Sequence, residues 1–464
     1  HFVGIGGTGL SAIARVLLER GEAVSGSDLR AGPLTDALAR DGVRVQIGHR
    51  AEHVHGADVV VVSSAVPAGN PEVAEARRLG IPVIKRSEFL GRLMAGQRPI
   101  AIAGTHGKTT TTAMTALLLS RAGLDPSFIA GGVISDLGAN ARAGRGPHFV
   151  IEADEYDGMF LGLHPWIAVI TNIELDHVDC YPCLEDACHA FERFAGQTRA
   201  DGLVLACADS PAGLGAARGA VAGRQDGPAL LTYGMAAGVD WRADNLTPNV
   251  LGGTSFSVWR QGRTFGRFEI AIPGAHNVLN ALAAIAIGDV LSLEPALIGS
   301  ALRSFHGAQR RFEFKGEAAD VTVIDDYAHH PTEIRATLRA VRERFPGRRV
   351  WAVFEPHTYS RTRALFEEFT RCFSDADHVL VTDIYAARER DDGSVSGAQL
   401  AERIVGAQAQ HVGGIGDAAG YLLQHVRPGD VVITLGAGDG YLIGEELLAG
   451  LRERPGAEAG GNAA

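Results

Sequence analysis

The stretch Ala103-Gly-Thr-His-Gly-Lys-Thr-Thr-Thr-Thr112 constrains this chain more than any other. A small apolar run, Pro99 to Ala103, leads into it, and a helical pattern from about Thr109 to Ala122 follows. Glycines at a strand-to-helix junction let backbone N–H groups close around phosphate oxygens, and the helix N-terminus adds positive partial charge. In that setting Lys108 reaches the outer phosphates and the Thr109 hydroxyl is placed to ligate Mg2+. The loop is a shortened variant: a standard phosphate loop has a glycine five residues before its Gly-Lys pair, where this chain has Ile102. An ordinary Gly-rich turn has no need of a lysine and four threonines in that register.

The chain carries a net charge of −11 with no basic cluster, which argues against nucleic acid or an anionic membrane as partner. Lysine is rare: only Lys85, Lys108 and Lys315 occur, so one of three sits in the phosphate loop. With 464 residues and 46% apolar content, the chain can build roughly three domains with cores of their own. Cys180, Cys183, Cys188, Cys207 and Cys372 are odd in number and irregularly spaced, as in a reducing cytosol. Cys180-x-x-Cys183 with Cys188 and His189 lacks the second pair that a zinc site needs. The longest apolar run, about Leu279 to Leu293, is broken by Gly288 and Asp289 and is too short for a bilayer. No signal peptide is visible and a cytoplasmic location is expected. The chain opens at His1 inside an expected strand, so further residues are expected to precede it.

Three consecutive α/β domains are expected. In residues 1–98 a strand at Phe2–Ile5 turns through Gly4-x-Gly6-x-x-Gly9 into a helix to about Glu19, and strands follow at Ala23–Ser25 and Val59–Ser63. That is a Rossmann-like pattern, with ligands at the carboxyl ends of the strands. Residues 99–308 form a P-loop-type unit, with strands near Phe149–Ile151 and Ala168–Thr171, an antiparallel insertion between Val239 and Ile272, and a helix from His276. Residues 309–453 return to Rossmann-like alternation, with strands at Val321–Ile324, Val350–Phe354, Val379–Val381 and Val431–Leu435. Residues 454–464 are rich in Gly and Ala and are expected to be a disordered tail.

Two strand ends carry the chemistry. Phe149-Val-Ile runs into Glu152-Ala-Asp154-Glu155-Tyr-Asp157, and the next strand ends Thr171-Asn172-Ile-Glu174-Leu-Asp176-His177-Val-Asp179. Carboxylates and an imidazole beside a nucleoside triphosphate are what Mg2+ requires. Any one such acid is more often a solvated cap, but two strand ends together argue for a site. In the first domain, Gly4-x-Gly6-x-x-Gly9 with Asp28 nineteen residues later fits a dinucleotide. The physics specifies only a pyrophosphate at a helix N-terminus and a carboxylate near a ribose, which a UDP-sugar also offers.

Gly104-Thr-His-Gly-Lys-Thr, Glu152-Ala-Asp-Glu, Thr171-Asn-Ile-Glu-Leu-Asp-His, Gly274-Ala-His-Asn277-Val-Leu-Asn280, Arg310-Arg311-Phe and Asp325-Asp326-Tyr-Ala-His-His-Pro follow one another in order. Over essentially its whole length the chain thereby resembles the Mur ligases, ATP-dependent amide-forming enzymes of peptidoglycan precursor synthesis. His1-Phe-Val-Gly-Ile-Gly-Gly and Phe354-Glu-Pro-His-Thr-Tyr-Ser-Arg-Thr-Arg look most like the members that join L-alanine to UDP-N-acetylmuramate.

The resemblance implies that Gly104, Thr105, His106, Gly107, Lys108, Thr109 and Thr110 surround the ATP phosphates, with Lys108 on the β- and γ-phosphates. It implies Mg2+ on Thr109, Glu152 and His177, adenine at Asn277, and the ATP ribose and phosphates at Arg311 and Asp326. Tyr327, His329 and Arg361 would line the alanine site, and Asn172 would also meet substrate. His329 is the candidate to assist or orient the amine as it loses a proton. Arg361 suits the alanine carboxylate, and a structural salt bridge is an equal reading. Gly6, Gly7, Thr8 and Gly9 would hold the UDP diphosphate, with Ser63, Ser64 and Asn70 lining the nucleotide.

Two positions depart from the family. Thr358 stands where some alanine-adding relatives carry an arginine. Glu192, fifteen residues past His177, stands in place of the carbamylated lysine that some Mur ligases use to support a second metal, and would supply that negative charge permanently. Three rival readings remain at this point: the recycling ligase that adds a tripeptide to UDP-N-acetylmuramate, a hydride-transferring oxidoreductase, and a non-catalytic nucleotide-binding protein. A monomer or a homodimer is expected.

Overall fold

The computed structural model describes residues 1–63, 66–67 and 69–453. Ser64, expected to line the nucleotide, and the expected tail at 454–464 lie outside the described residues. The chain forms three α/β units, each built on its own sheet.

The first sheet has five parallel strands in the order Arg44–Ile47, Ser25–Asp28, Phe2–Val3, Val60–Val62, Val83–Lys85. The winding direction reverses between Phe2–Val3 and Val60–Val62, and such a reversal opens a crevice beyond the carboxyl ends. Gly4 to Gly7 turn there into the helix Thr8–Glu19, whose Leu10, Ile13 and Val16 are buried. The second strand sits two residues later than its apolar run suggested. Its core is Gly26-Ser27, and Gly26 is needed because a Cβ there would lie 2.5 Å from the Ile5 side chain.

The central sheet has ten strands. Arg98–Ala103 lies in its middle, parallel to Ile167–Ile170 on one side and His148–Glu152 on the other. The loop after Ala103 therefore emerges between the two acidic strand ends. Trp241–Pro248, Thr254–Arg260 and Arg263–Ile270 extend one edge as an antiparallel ladder, and Ser127–Ile134 with Ala139–Arg142 close the other. The helix Lys108–Arg121 is buried on all sides from Thr109 to Leu119. Two of its threonines find partners in the core: Thr115 donates to the Thr111 carbonyl at 2.8 Å, and Thr111 to Asn280 Oδ1 at 3.1 Å. The helix Ala275–Val290, which carries most of the longest apolar run, packs beside it in the same core. No helix among the described residues is long and apolar enough to cross a membrane.

The third sheet has six strands in the order Glu313–Ala318, Val321–Asp326, Val431–Leu435, Val350–Phe354, His378–Val381, Gln408–His411. All are parallel except the first, which is antiparallel to its neighbour. The carboxyl ends of Val321–Asp326 and Val350–Phe354 turn toward the central unit and carry the residues described next.

Candidate active site

The phosphate loop is shaped by two glycines where any side chain would be strained. Gly104 has φ +144°, and a Cβ there would lie 1.9 Å from Thr171 Oγ1; Gly107 has φ +79°, and a Cβ would lie 2.5 Å from Asn280 Oδ1. Asn172 clamps the turn between them. Its Oδ1 accepts from His106 N at 2.9 Å, its Nδ2 donates to the His106 carbonyl at 3.1 Å, and its carbonyl accepts from Thr105 N at 2.9 Å. Asn172 thus shapes the loop and also lines the cavity beside it.

Lys108 and Thr109 open the helix, each facing a carboxylate from the neighbouring strand end. The Lys108 ammonium donates to the Gly104 and Thr105 carbonyls and to Glu155 at 2.9 Å. Thr109 Oγ1 donates to Glu152 at 3.0 Å, and the other Glu152 oxygen accepts from Gly131 N. A hydroxyl and a carboxylate this close are hard oxygen donors of the kind Mg2+ prefers. Burial raises the Glu155 carboxyl to about 7 against the opposing pull of Lys108, while nearby carboxylates keep the lysine charged. His177 lies 3.8 Å from Glu155, and burial keeps its imidazole easily deprotonated, as a metal ligand must be.

The third unit closes over this loop through a helix start. His330 caps the helix Pro331–Arg344, Pro331 occupies its first turn, and Glu333 accepts from the backbone N–H groups of His329 and His330. Glu333 also meets His106 of the phosphate loop at 3.1 Å and Arg311 at 3.7 Å. Burial alone would lower the His106 imidazole, but Glu333 and Glu174 raise it to about 9, so it is a cation at neutral pH. Between the units lies a cavity lined by His106, Gly107, Thr110, Asn277, Arg311 and Asp326, with Ile272 and Leu279 on its apolar wall. An apolar slot with a few convergent polar groups, opening onto a phosphate loop, is the usual form of a small-molecule site. Asp326 reaches this cavity with both oxygens already accepting backbone N–H groups, from Phe312 and Ala328, and burial raises its carboxyl to about 6.

His329 Nδ1 lies 2.9 Å from the Tyr327 carbonyl, which can only accept, so this nitrogen carries the proton. Burial lowers the imidazole to about 3, leaving Nε2 as an open acceptor. Tyr327 itself lines a second cavity, shared with Thr8, Gly9, Arg86, Glu152 and Asp154, where all three units meet. Gly6, Gly7 and Ser63 line a third, at the carboxyl ends of the first sheet, with Asp28. One N–H of that glycine loop is already engaged, since Gly6 N donates to Asp28 Oδ2 at 2.8 Å.

Comparison with known proteins agrees with this geometry. Residues 1–98 match the Mur ligase family catalytic domain, residues 102–288 the Mur ligase middle domain, and residues 310–438 the Mur ligase glutamate ligase domain. The chain is 48% identical over 453 residues to a UDP-N-acetylmuramate–L-alanine ligase of Anaeromyxobacter dehalogenans, covering 97% of each. It is 44% identical to the enzyme of that name from Alkaliphilus metalliredigens, covering 97% of this chain and 96% of the relative. The chain belongs to the Mur ligase family. Among solved structures, a UDP-N-acetylmuramate–alanine ligase from Thermotoga maritima superposes with a TM-score of 0.80 at 29% identity, covering 97% of this chain and 98% of that one. A murein peptide ligase from Psychrobacter arcticus gives 0.71 at 27%, covering 98% and 99%.

Two expectations need correction in this Mur ligase, for Glu192 and Asn70, and for Arg361 one of its two equal readings is seen. Glu192 does not reach the site: it projects from the helix Leu184–Gly196 against Gly219 of the neighbouring helix. Phe191 is the residue that turns inward, edge-on to Phe160 at 5.1 Å, and one step along a helix rotates the next side chain away. Asn70 is buried and caps the helix Pro71–Arg78 instead, its Oδ1 accepting from Glu72 N and Val73 N. Arg361 is buried on Asp176 at 2.8 Å, with Nη1 against His357, so the salt-bridge reading describes most of its fork. Burial would raise Asp176, but Arg361, His177 and His329 hold it far below the usual carboxylate range.

Glu155, Asp176, Glu333 and Arg86 take part in the site without having been singled out. Asp176 and Glu155 lay inside the acidic runs already noticed, whereas Glu333 had only its place three residues after a cap as a signal.

Proposed function

We propose that this protein joins L-alanine to the carboxylate of UDP-N-acetylmuramate with cleavage of ATP to ADP and phosphate, a cytoplasmic step of peptidoglycan precursor synthesis. The observation that carries the reading is the pairing of Lys108 and Thr109 with strand-end carboxylates in a nucleotide-shaped cavity between the second and third units. Relatives carrying this activity in their names match over nearly the full chain, which supports it further.

Lys108 would hold the β- and γ-phosphates, and Asn277, Arg311 and Asp326 would line the rest of the nucleotide. Thr109, Glu152 and His177 would ligate Mg2+, which when bound offsets charge on the phosphates. A carboxylate is a poor acyl donor, so it first attacks the γ-phosphorus, forming an acyl phosphate and releasing ADP. The amine of L-alanine then attacks the acyl carbon, and phosphate departs from the tetrahedral intermediate. Lys108 offsets the charge that develops in the first step. His329 Nε2, neutral and open, would accept a hydrogen bond from the amine and orient it for attack rather than carry its proton away. The UDP diphosphate would lie at Gly6 to Gly9 with Arg86 beside it, and the sugar would extend toward the cavity where Tyr327 meets Thr8 and Asp154.

Phosphate release with ATP, Mg2+ and UDP-N-acetylmuramate, supplied singly with L-alanine, glycine, L-serine or the tripeptide, tests this. Turnover that requires both the UDP-sugar and L-alanine is expected. Turnover only with the tripeptide would move the protein to the recycling reaction, and none with any acceptor would refute ligation.

A further inference from the structure

The third unit sends two loops from adjacent parallel strands, Val350–Phe354 and His378–Val381, toward the central unit, and they stay paired beyond the sheet. Thr358 N donates to the Tyr385 carbonyl at 2.9 Å and Tyr385 N to the Pro356 carbonyl at 2.8 Å. Glu389 ties them again, accepting from Ser360 N at 2.9 Å and from the Ser360 hydroxyl. Thr358 at φ +67° and Ala387 at φ +50° hold left-handed turns that these bonds maintain. The result is a cleft with Thr358, Arg361 and Arg388 on one wall and Tyr156, His177 and Asp179 of the central unit on the other.

Two arginines line this cleft in different states. Arg361 is buried, and its charge is offset by Asp176. Arg388 is exposed and makes no hydrogen bond or ion pair among the described residues. Its guanidinium lies 4.9 Å from the centre of the Tyr156 ring, and Tyr156 is held in turn by its hydroxyl donating to Asp179 at 2.9 Å. The remaining charged groups on the cleft, Asp154, Asp179 and Glu389, are acidic. A free amino acid brings its carboxylate into such a cleft only if a cation meets it, and position 358 supplies an uncharged threonine.

We propose that Arg388 binds the α-carboxylate of the incoming amino acid, together with the part of the Arg361 fork that Asp176 and His357 leave open. This rests on the ligation reading above and assigns its amino-acid subsite a second cation from a neighbouring loop. Its place over the Tyr156 ring positions the guanidinium, and its N–H groups, free of partners among the described residues, match a carboxylate. The contact is to a group common to all α-amino acids, so it sets affinity for the acceptor without choosing its side chain.

Steady-state kinetics on the full chain test this. Arg388→Ala is expected to raise KM for L-alanine about 10- to 100-fold, the range for a lost charged hydrogen bond. KM for ATP and for UDP-N-acetylmuramate should stay within about twofold, and glycine and L-serine should lose affinity by the same factor as L-alanine. Arg388→Lys should recover part of the loss, as should Thr358→Arg added to Arg388→Ala, because both positions face one cleft. An alanine KM within about twofold of wild type overturns the proposal, as does a joint rise in all three KM values or failure of both rescues. Absence of alanine-dependent turnover in the wild-type chain would overturn the ligation reading and this inference with it. Wild-type turnover with an unchanged KM in Arg388→Ala overturns this inference alone.

Discussion

The two glycine-rich loops of this Mur ligase share a backbone plan and differ in their charges. Each leaves a parallel strand and opens a helix, Thr8–Glu19 in the first unit and Lys108–Arg121 in the second. The first loop has no cation of its own. One of its N–H groups is bound to Asp28, and Arg86 is brought against it by the helix Arg86–Leu93 until a Cβ on Gly9 would overlap it. The second loop runs into Lys108 and Thr109 at the helix start, and each meets a carboxylate at or just past the end of the adjacent strand. Glycine geometry makes a cradle for phosphate in both places. On the proposed reading, the charged side chains decide whether the phosphate is only held, as a diphosphate handle, or made to transfer.

The sharpest way to break this contrast is Lys108→Ala. It should lower kcat by about 1000-fold or more, since it removes the fixed cation at the transferring phosphate. Binding of UDP-N-acetylmuramate, followed by calorimetry, should be unchanged. Arg86→Ala should do the reverse at smaller scale, raising KM for the UDP-sugar roughly tenfold with KM for ATP unmoved. If Arg86→Ala weakened ATP instead, the assignment of the two loops would fail.

A third test uses pH. The His106 imidazole is raised to about 9 by Glu333 and Glu174, which fastens the phosphate loop to the third unit. A group raised on folding stabilises fully below its unfolded value of 6.5 and loses that contribution as pH climbs through about 9. The Tm difference between wild type and His106→Asn should therefore be largest below pH 6.5 and shrink toward zero above about 9. A difference independent of pH would show that the imidazole carries no charge there. The smallest effect expected is that of Asn70→Ala, which should cost about 1 kcal/mol of stability as a lost helix cap. A changed KM for the UDP-sugar in that variant would restore Asn70 to the nucleotide site.

Strand–helix alternation made the three-unit α/β fold legible, because buried parallel strands read as short apolar runs. It failed locally at Ser25–Asp28, where a glycine fills the place an apolar side chain would mark. The phosphate loop and both acidic strand ends were legible because each is contiguous in sequence. Glu192 shows the limit of spacing: a count of residues across a loop and into a helix does not carry the helical phase. Asn70 had a readable signal in the proline that follows it, a helix start rather than a ligand. Arg86, Glu333 and Arg388 were hidden for another reason. Their partners lie on other units, and only the tertiary fold sets Arg388 over Tyr156 or Glu333 on His106.

On the proposed reading, the lactyl carboxylate of the UDP-sugar whose diphosphate sits on the first loop attacks the γ-phosphate held by the second. UDP-N-acetylmuramate labelled with 18O in its lactyl carboxylate, turned over with ATP and L-alanine, tests it by mass spectrometry of the released phosphate. Attack of that carboxylate on the γ-phosphorus predicts one labelled oxygen in the phosphate. Unlabelled phosphate, formed while amide product accumulates, would contradict it.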